Sequence, residues 1–148
     1  VAAAVADSGF ESLDAAKEAG TAFVFMGHGT AHVAKVSYSQ MQTQMQLLGY
    51  ENVFIGTVEG EPEETSCEAV IEAVKAAGYT NVIMRPLMVV AGDHANNDMA
   101  GEEEDSWKSM FEAAGLTVDC QIAGLGGIAD VQALYIAHTK AAIDALTA

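Results

Sequence analysis

Three polar side chains stand out because each follows directly on an apolar run: His28 in "GHGT", Glu59 in "VEGEP" and His94 in "AGDHANNDMAG". Two imidazoles and one carboxylate are donors suited to a first-row divalent ion, and an unfilled coordination sphere leaves room for a substrate. Imidazole, with an ordinary pKa of about 6.5, also takes up or releases protons near neutral pH. Taken singly, either histidine reads as a hydrogen-bonded structural or surface residue. Their spacing sets a shared position against that reading: 31 residues separate His28 from Glu59 and 35 separate Glu59 from His94, each interval one strand-plus-helix unit long.

The elements that must position these groups alternate along the chain. Thr21 to Met26 ("TAFVFM") predicts a strand buried on both faces, followed by a helix whose stripe is Ala34, Tyr38, Met41, Met45 and Leu48, ending at Gly49. Val53 to Val58 predicts the second strand, with Pro62 in a first helical turn and Cys67, Val70, Ile71 and Val74 as the next apolar stripe, closed by Gly78. Asn81 to Val90 predicts the third strand. Trp107, Met110, Phe111 and Ala114 mark the helix after it, with Glu102, Glu103, Glu104 and Asp105 in its first turn. Leu116 to Ile122 predicts a fourth strand, and a final helix runs from about Ile128 to Leu146. Residues 1–20 form an Ala-rich, partly helical lead-in with Ser12 or Asp14 as cap. Four βα units in succession predict an α/β fold, a four-stranded parallel sheet with helices on both faces. Ligands of such sheets bind beyond the carboxyl ends of the strands, where His28, Glu59 and His94 all fall.

Charge narrows the partners. Six Lys and Arg stand against 21 Asp and Glu, a formal charge of −15, and a nucleic-acid backbone is repelled by such a field. No apolar run approaches the roughly 20 residues of a membrane-spanning helix, so neither nucleic acid nor a membrane is an expected partner. Cys67 and Cys120 lie 53 residues apart with no CxxC pattern, compatible with a reducing, cytoplasmic compartment, although a periplasmic one stays open. At 148 residues the chain suits a single domain.

Other polar groups read more plainly. His32 fits a first helical turn, and His138, beside Leu134 and Tyr135, fits core or interface packing. Gly124, Gly126 and Gly127 precede a helix and could cradle a phosphate, but a plain βα turn is the better reading. The methionines are core filler. Arg85, alone inside a strand, pairs with a carboxylate of the protein or of a ligand.

The stretches "FVFMGHGTAH", "NVFIGTVEGEP" and "VVAGDHANNDMAGEEEDSW" together resemble the anaerobic cobalt chelatases, which insert Co²⁺ into sirohydrochlorin in cobalamin biosynthesis and form a branch of the class II tetrapyrrole chelatases. The similarity extends over about 125 of the 148 residues. The resemblance implies that His28, Glu59 and His94 bind the metal, that His28 also accepts a pyrrole proton, and that Asp93 or Glu59 orients an imidazole or relays protons. It implies Co²⁺ as substrate metal and sirohydrochlorin as partner, with an iron or nickel chelatase as the alternative within the family; backbone N–H groups, Thr30, Asn96 and Asn97 are candidate donors to the substrate's carboxylates, although Asp93, Asn96 and Asn97 read slightly better as holding the loop's shape. Such enzymes have two α/β lobes. This chain matches the C-terminal lobe alone, so an excised domain is expected, or else a pair of copies acting as the short one-lobe chelatases do. A metal- or tetrapyrrole-binding module without turnover, or a flavodoxin-like domain that binds phosphate through the Gly124–Gly127 turn, would share the same architecture.

Overall fold

The structure, a computed structural model, describes residues 1–147. Its sheet has the order β2-β1-β3-β4, with β1 (Thr21–Gly27), β2 (Val53–Thr57), β3 (Asn81–Pro86) and β4 (Thr117–Cys120) all parallel. The central strand β1 is buried along its whole length, as expected of a near-continuous apolar run covered on both sides. Its alternate residues serve two cores. Ala22, Val24 and Met26 join Val82 and Met84 on one face, and Phe23 and Phe25 join Val53, Ile55 and Ile83 on the other.

The order of the strands dictates which helix covers which face. The chain leaves β1 in one direction to reach β2, then reverses across β1 to reach β3 and β4, and right-handed crossovers place helices on opposite faces for opposite directions. Accordingly α3 (Val36–Leu47) lies over the Phe23 face, together with the lead-in helices α1 (Ala2–Ser8) and α2 (Leu13–Glu18). The helices α4 (Cys67–Ala76) and α5 (Trp107–Ala113) cover the Val24 face through Val70, Val74, Trp107 and Phe111. The point of reversal lies between β1 and β3. Ser12 caps α2, its hydroxyl accepting from the Ala15 amide at 3.0 Å.

Several expected boundaries move, each for an identifiable reason. The third strand stops at Pro86, not Val90, because proline offers no N–H to the ladder and the partner strand β4 has ended at Cys120. Beyond it the chain still receives bonds at the Met88 and Val89 carbonyls from the Leu125 and Gly126 amides, while the side chains of Val89 and Val90 are 50% and 72% exposed. Helix α5 begins at Trp107, with Ser106 as its cap, so Glu102 to Asp105 form the turn before it rather than its first turn. Pro62 precedes a separate 3₁₀ turn, Glu63–Thr65, and Ser66 caps α4. His32 sits one position before a 3₁₀ turn, Val33–Lys35, as its cap.

The stripe expected on α3 is only half buried. Tyr38 and Met45 pack on the core, whereas Ala34, Met41 and Leu48 are exposed. The reason is the edge position of β2: Gln42 reaches over it, donating to the Val53 carbonyl at 3.0 Å and accepting from the Ile55 amide at 2.8 Å, as a neighbouring strand would. The last helix, α6 (Ala129–Thr147), touches mainly the 3₁₀ turn Leu125–Gly127. Tyr135, Ile136, Ile143 and Leu146 on it are exposed, and so is His138, which therefore takes no part in the core. Among the described residues no helix is long and apolar enough to cross a membrane.

Arg85 is buried, and its Nε has no hydrogen-bond partner among the described residues. Arg85 finds its carboxylate within the protein: Nη1 donates to Asp7 Oδ2 at 2.6 Å and to Gln121 Oε1 at 3.0 Å, tying α1 to the sheet. Met26, Met84 and Met99 are fully buried filler. Burial raises the Cys67 thiol to about 12, with Glu68 adding to the effect, and the Cys120 thiol to about 11, with Asp119 adding to it. The folded chain thus holds protons that the unfolded chain releases above about pH 8.5, so this contribution to stability is present at neutral pH and declines as pH rises from 9 toward 11 and 12. Two outcomes are expected. A thiol reagent at pH 8 labels the native protein slowly and the urea-unfolded chain rapidly, and the urea midpoint falls between pH 9 and 11. Fast stoichiometric labelling of the native protein would contradict the burial.

Candidate metal centre

The site is assembled by extending the sheet beyond its strands. The pairing of β1 and β2 continues for two more residues, the Val58 amide donating to the Gly27 carbonyl and the Glu59 amide to the His28 carbonyl, both at 2.9 Å. That continuation sets Glu59 beside His28. Both flanking glycines are required by close packing within the protein. A Cβ on Gly27 would stand 2.5 Å from the Tyr38 ring, and Gly29, at φ +91°, would bring one to 3.0 Å from Glu59 Cβ. The Tyr38 hydroxyl in turn accepts from the Gly29 amide at 3.1 Å. Beneath Glu59, the buried hydroxyls of Thr57 and Thr65 bond at 2.7 Å, and Lys35 pairs with Glu61 at 2.6 Å, so the loops after β1 and β2 are clamped together.

His94 arrives from β3 on a single π-helical turn, His94–Met99, an irregularity often found where a helix carries function. Ala95 and Met99, four residues apart, are fully buried and fix the turn to the core, which leaves His94 and Asp98, also four apart, on the outer side. Asn96 Nδ2 donates to the Gly92 carbonyl at 2.7 Å and Asn97 Nδ2 to Asp93 Oδ1 at 2.6 Å. Asp93, Asn96 and Asn97 are thus engaged in holding the loop, and no imidazole is oriented by Asp93. Asp98 does that work instead, its Oδ2 lying 2.5 Å from His94 Nδ1.

The two rings meet edge to face with their centres 4.8 Å apart. Two imidazoles bound through Nε2 to one ion place their ring centres roughly 4.5–5.2 Å apart at octahedral or tetrahedral angles, given bonds near 2.1 Å. The observed separation falls in that interval. Glu59 Oε1 is 3.9 Å from His28 Nε2, slightly wider than the roughly 3.0–3.5 Å between neighbouring donors on one ion. Among the described residues no group of three or more His, Cys, Asp or Glu side chains is placed to hold a metal ion as it stands. The two imidazoles and the Glu59 carboxylate form a half-exposed polar group: the side chains of His28, Glu59 and His94 are 52%, 51% and 38% accessible.

Hydrogen bonding fixes what the rings present. A carbonyl and a carboxylate can only accept, so the 2.9 Å contact of His28 Nδ1 with the Gly29 oxygen, like that of His94 Nδ1 with Asp98, puts the proton of each neutral ring on Nδ1. Both Nε2 atoms therefore carry free lone pairs, available to a metal ion or to a proton. The Gly-rich turn offers no comparable site, because the Leu125, Gly126 and Gly127 amides already donate to the Met88, Val89 and Gly124 carbonyls. Those three amides are therefore not turned toward a phosphate. His32 accepts from the Ala34 amide through Nδ1 and serves as a cap.

Comparison with known proteins bears on this geometry. The chain is 39% identical over 121 residues to the sirohydrochlorin cobaltochelatase of Salmonella typhimurium, covering 82% of this chain and 44% of that protein. It is 34% identical over 134 residues to the sirohydrochlorin cobaltochelatase CbiKC of Nitratidesulfovibrio vulgaris, covering 90% and 46% respectively. The chain thus spans about half the length of the curated relatives it matches. A solved structure described as a cobalamin (vitamin B12) biosynthesis CbiX protein of Marinobacter aquaeolei superposes with a TM-score of 0.64 at 18% identity, covering 84% of this chain and 98% of that one, a likeness of fold. The model of the family described as cobalt chelatase (CbiK) matches residues 5–144, and the chain belongs to that family.

Proposed function

We propose that the chain is the metal-holding lobe of a sirohydrochlorin cobaltochelatase, with Co²⁺ and sirohydrochlorin as its substrates. The observation that carries the reading is the meeting of His28 and His94 at the sheet's point of reversal, each with Nε2 free. Insertion involves no redox step: Co²⁺ enters the macrocycle and two pyrrole protons leave. In this reading Co²⁺ waits on the two Nε2 atoms, with Glu59 closing from the rim. As the ion passes to the pyrrole nitrogens, His28 Nε2 becomes free to accept one proton, which Glu59 carries outward, and the second proton leaves to solvent.

The substrate carries many carboxylates, whereas this chain carries a charge of −15, so bulk electrostatics oppose its approach. The side-chain amides of Asn96 and Asn97 each donate within the loop, to the Gly92 carbonyl and to Asp93 Oδ1. Further donors for the substrate, and the second wall of a cleft, would come from the remainder of a two-lobe protein or from a second copy of this chain. Since imidazole and carboxylate also accept iron and nickel, the choice of cobalt rests on the family, not on the donor set.

Absorption spectroscopy tests the reading. Sirohydrochlorin mixed with Co²⁺ and the protein is expected to acquire the spectrum of the cobalt complex faster than without protein, and His28→Ala or His94→Ala removes the acceleration. Because the chain spans only about half of its relatives, a non-catalytic module is the second reading, and binding of the tetrapyrrole without acceleration would favour it. Neither binding nor acceleration would contradict both.

A further inference from the structure

The two imidazoles are not held alike. His28 Nδ1 faces a neutral acceptor, the carbonyl of its own neighbour Gly29, at 2.9 Å, whereas His94 Nδ1 faces a carboxylate, Asp98, at 2.5 Å. Both partners of the second pair sit on the π-helical turn four residues apart, and the turn is fixed by the buried side chains of Ala95 and Met99. The Asp98 carboxylate makes no other hydrogen bond among the described residues, so its polar capacity is directed at the ring.

We infer that Asp98 is a positioning residue that makes His94 the stronger of the two metal donors, so that Co²⁺ is anchored on His94 and shared more loosely with His28. A carboxylate behind Nδ1–H fixes the tautomer with Nε2 bare, restricts ring rotation and increases the electron density that Nε2 offers to a cation, an arrangement common behind metal-bound histidines. A backbone carbonyl does the first of these and less of the last. The asymmetry suits a centre that must release its metal: one firm donor retains the ion until the macrocycle arrives, and the weaker one lets go first. Asp98 touches neither ion nor substrate in this scheme and acts entirely through the ring. The inference rests on the reading of His28 and His94 as metal donors.

The test uses the chain with Co²⁺ alone and compares Asp98→Ala, Asp98→Asn, His94→Ala and the unaltered protein. Loss of a residue that orients a metal-bound histidine commonly costs about 10–100-fold in metal affinity. Asp98→Ala is expected to lie in that range, and Asp98→Asn, whose amide oxygen still accepts from Nδ1–H, is expected to lose less. Before metal is added, ¹⁵N resonances of His94 should report a single tautomer protonated on Nδ1 in the unaltered protein and in Asp98→Asn, and a mixture in Asp98→Ala. The d–d absorption of the bound Co²⁺ should change in the Asp98 variants. If His94→Ala weakens Co²⁺ binding strongly while both Asp98 variants bind within threefold of the unaltered protein and keep its tautomer and spectrum, the inference about Asp98 is overturned and the metal centre stands. If His94→Ala itself leaves Co²⁺ affinity unchanged, the metal centre fails, and this inference fails with it. Asp98 is half exposed, so neither substitution is expected to unfold the chain, which circular dichroism checks.

Discussion

His94→Ala is expected to weaken Co²⁺ binding by roughly 100-fold. A structural zinc site with four donors is worth about 10–16 kcal/mol, or about 3 kcal/mol per donor, and every 1.4 kcal/mol is about a tenfold change in Kd. Among the described residues no third side chain stands close enough to take the place of the lost imidazole. His28→Ala is expected to cost somewhat less, its ring being backed only by a carbonyl. Glu59→Gln should cost under about tenfold, since its carboxylate stands 3.9 Å from the nearest imidazole nitrogen and must move to reach an ion held there. Isothermal titration with Co²⁺ measures all three, and Asp119→Asn, an exposed carboxylate on the edge strand β4, serves as the control that changes nothing.

Phe111→Ala is expected to cost about 3–5 kcal/mol of folding stability, the range for removing a fully buried aromatic ring. Phe111 has no exposed surface and stacks on Trp107, with ring centres 5.9 Å apart and planes 18° from parallel. Both belong to the core that α4 and α5 form against Val24, Met26, Val82 and Met84. A domain of this size loses roughly 2–4 °C in Tm per kcal/mol, so the midpoint should fall by about 6–20 °C. Met99, which anchors the π-helical turn, lies in the same cluster, but the turn is also held by Ala95 and by its own backbone and side-chain bonds. The variant should therefore bind Co²⁺ within about threefold of the parent under conditions where it remains folded. Urea denaturation gives the stability, and a loss below 1 kcal/mol would contradict the packing described for this face.

These expectations draw on features that are unequally legible in the sequence. The sheet is readable because apolar runs alternate with helical stripes along the chain, and because the intervals between His28, Glu59 and His94 match one βα unit each. That periodicity is enough to place the three on one edge, and the strand order places β1 between β2 and β3, so that the three loops are neighbours. Apolar pattern alone misjudged where β3 ends, since Leu87 to Val90 continue the hydrophobic run although Pro86 and the short partner β4 have closed the ladder. It also overstated the burial of α3, because nothing in a helical stripe reveals that the strand beneath lies at the edge of the sheet and is covered by the polar side chain of Gln42. His138 is expected in a core or an interface, and its exposure removes the first of these.

Asp98 went unrecognised for a related reason. The segment after β3 has the composition of a loop, rich in Gly, Asn and Asp, and in a loop a carboxylate four residues from a histidine has no special relation to it. Once the segment is wound into a helical turn, that spacing puts the two side chains on one face. The signal was present as the His94–Asp98 interval, together with the complementary pair Ala95 and Met99 at the same interval, apolar and turned inward. Asp93, adjacent to His94 in sequence, was the more obvious choice, but it points to Asn97 instead.

The central claim is that His28 and His94 jointly hold one metal ion. Anomalous scattering at the cobalt edge from crystals soaked in Co²⁺ tests it most directly. The predicted result is one strong peak within about 2.0–2.2 Å of Nε2 on both rings, with Nδ1 of His28 still bonded to the Gly29 carbonyl and Nδ1 of His94 to Asp98. A peak bound elsewhere, on the acidic surface or on Nδ1 of either ring, with the space between the two Nε2 atoms empty, would contradict it.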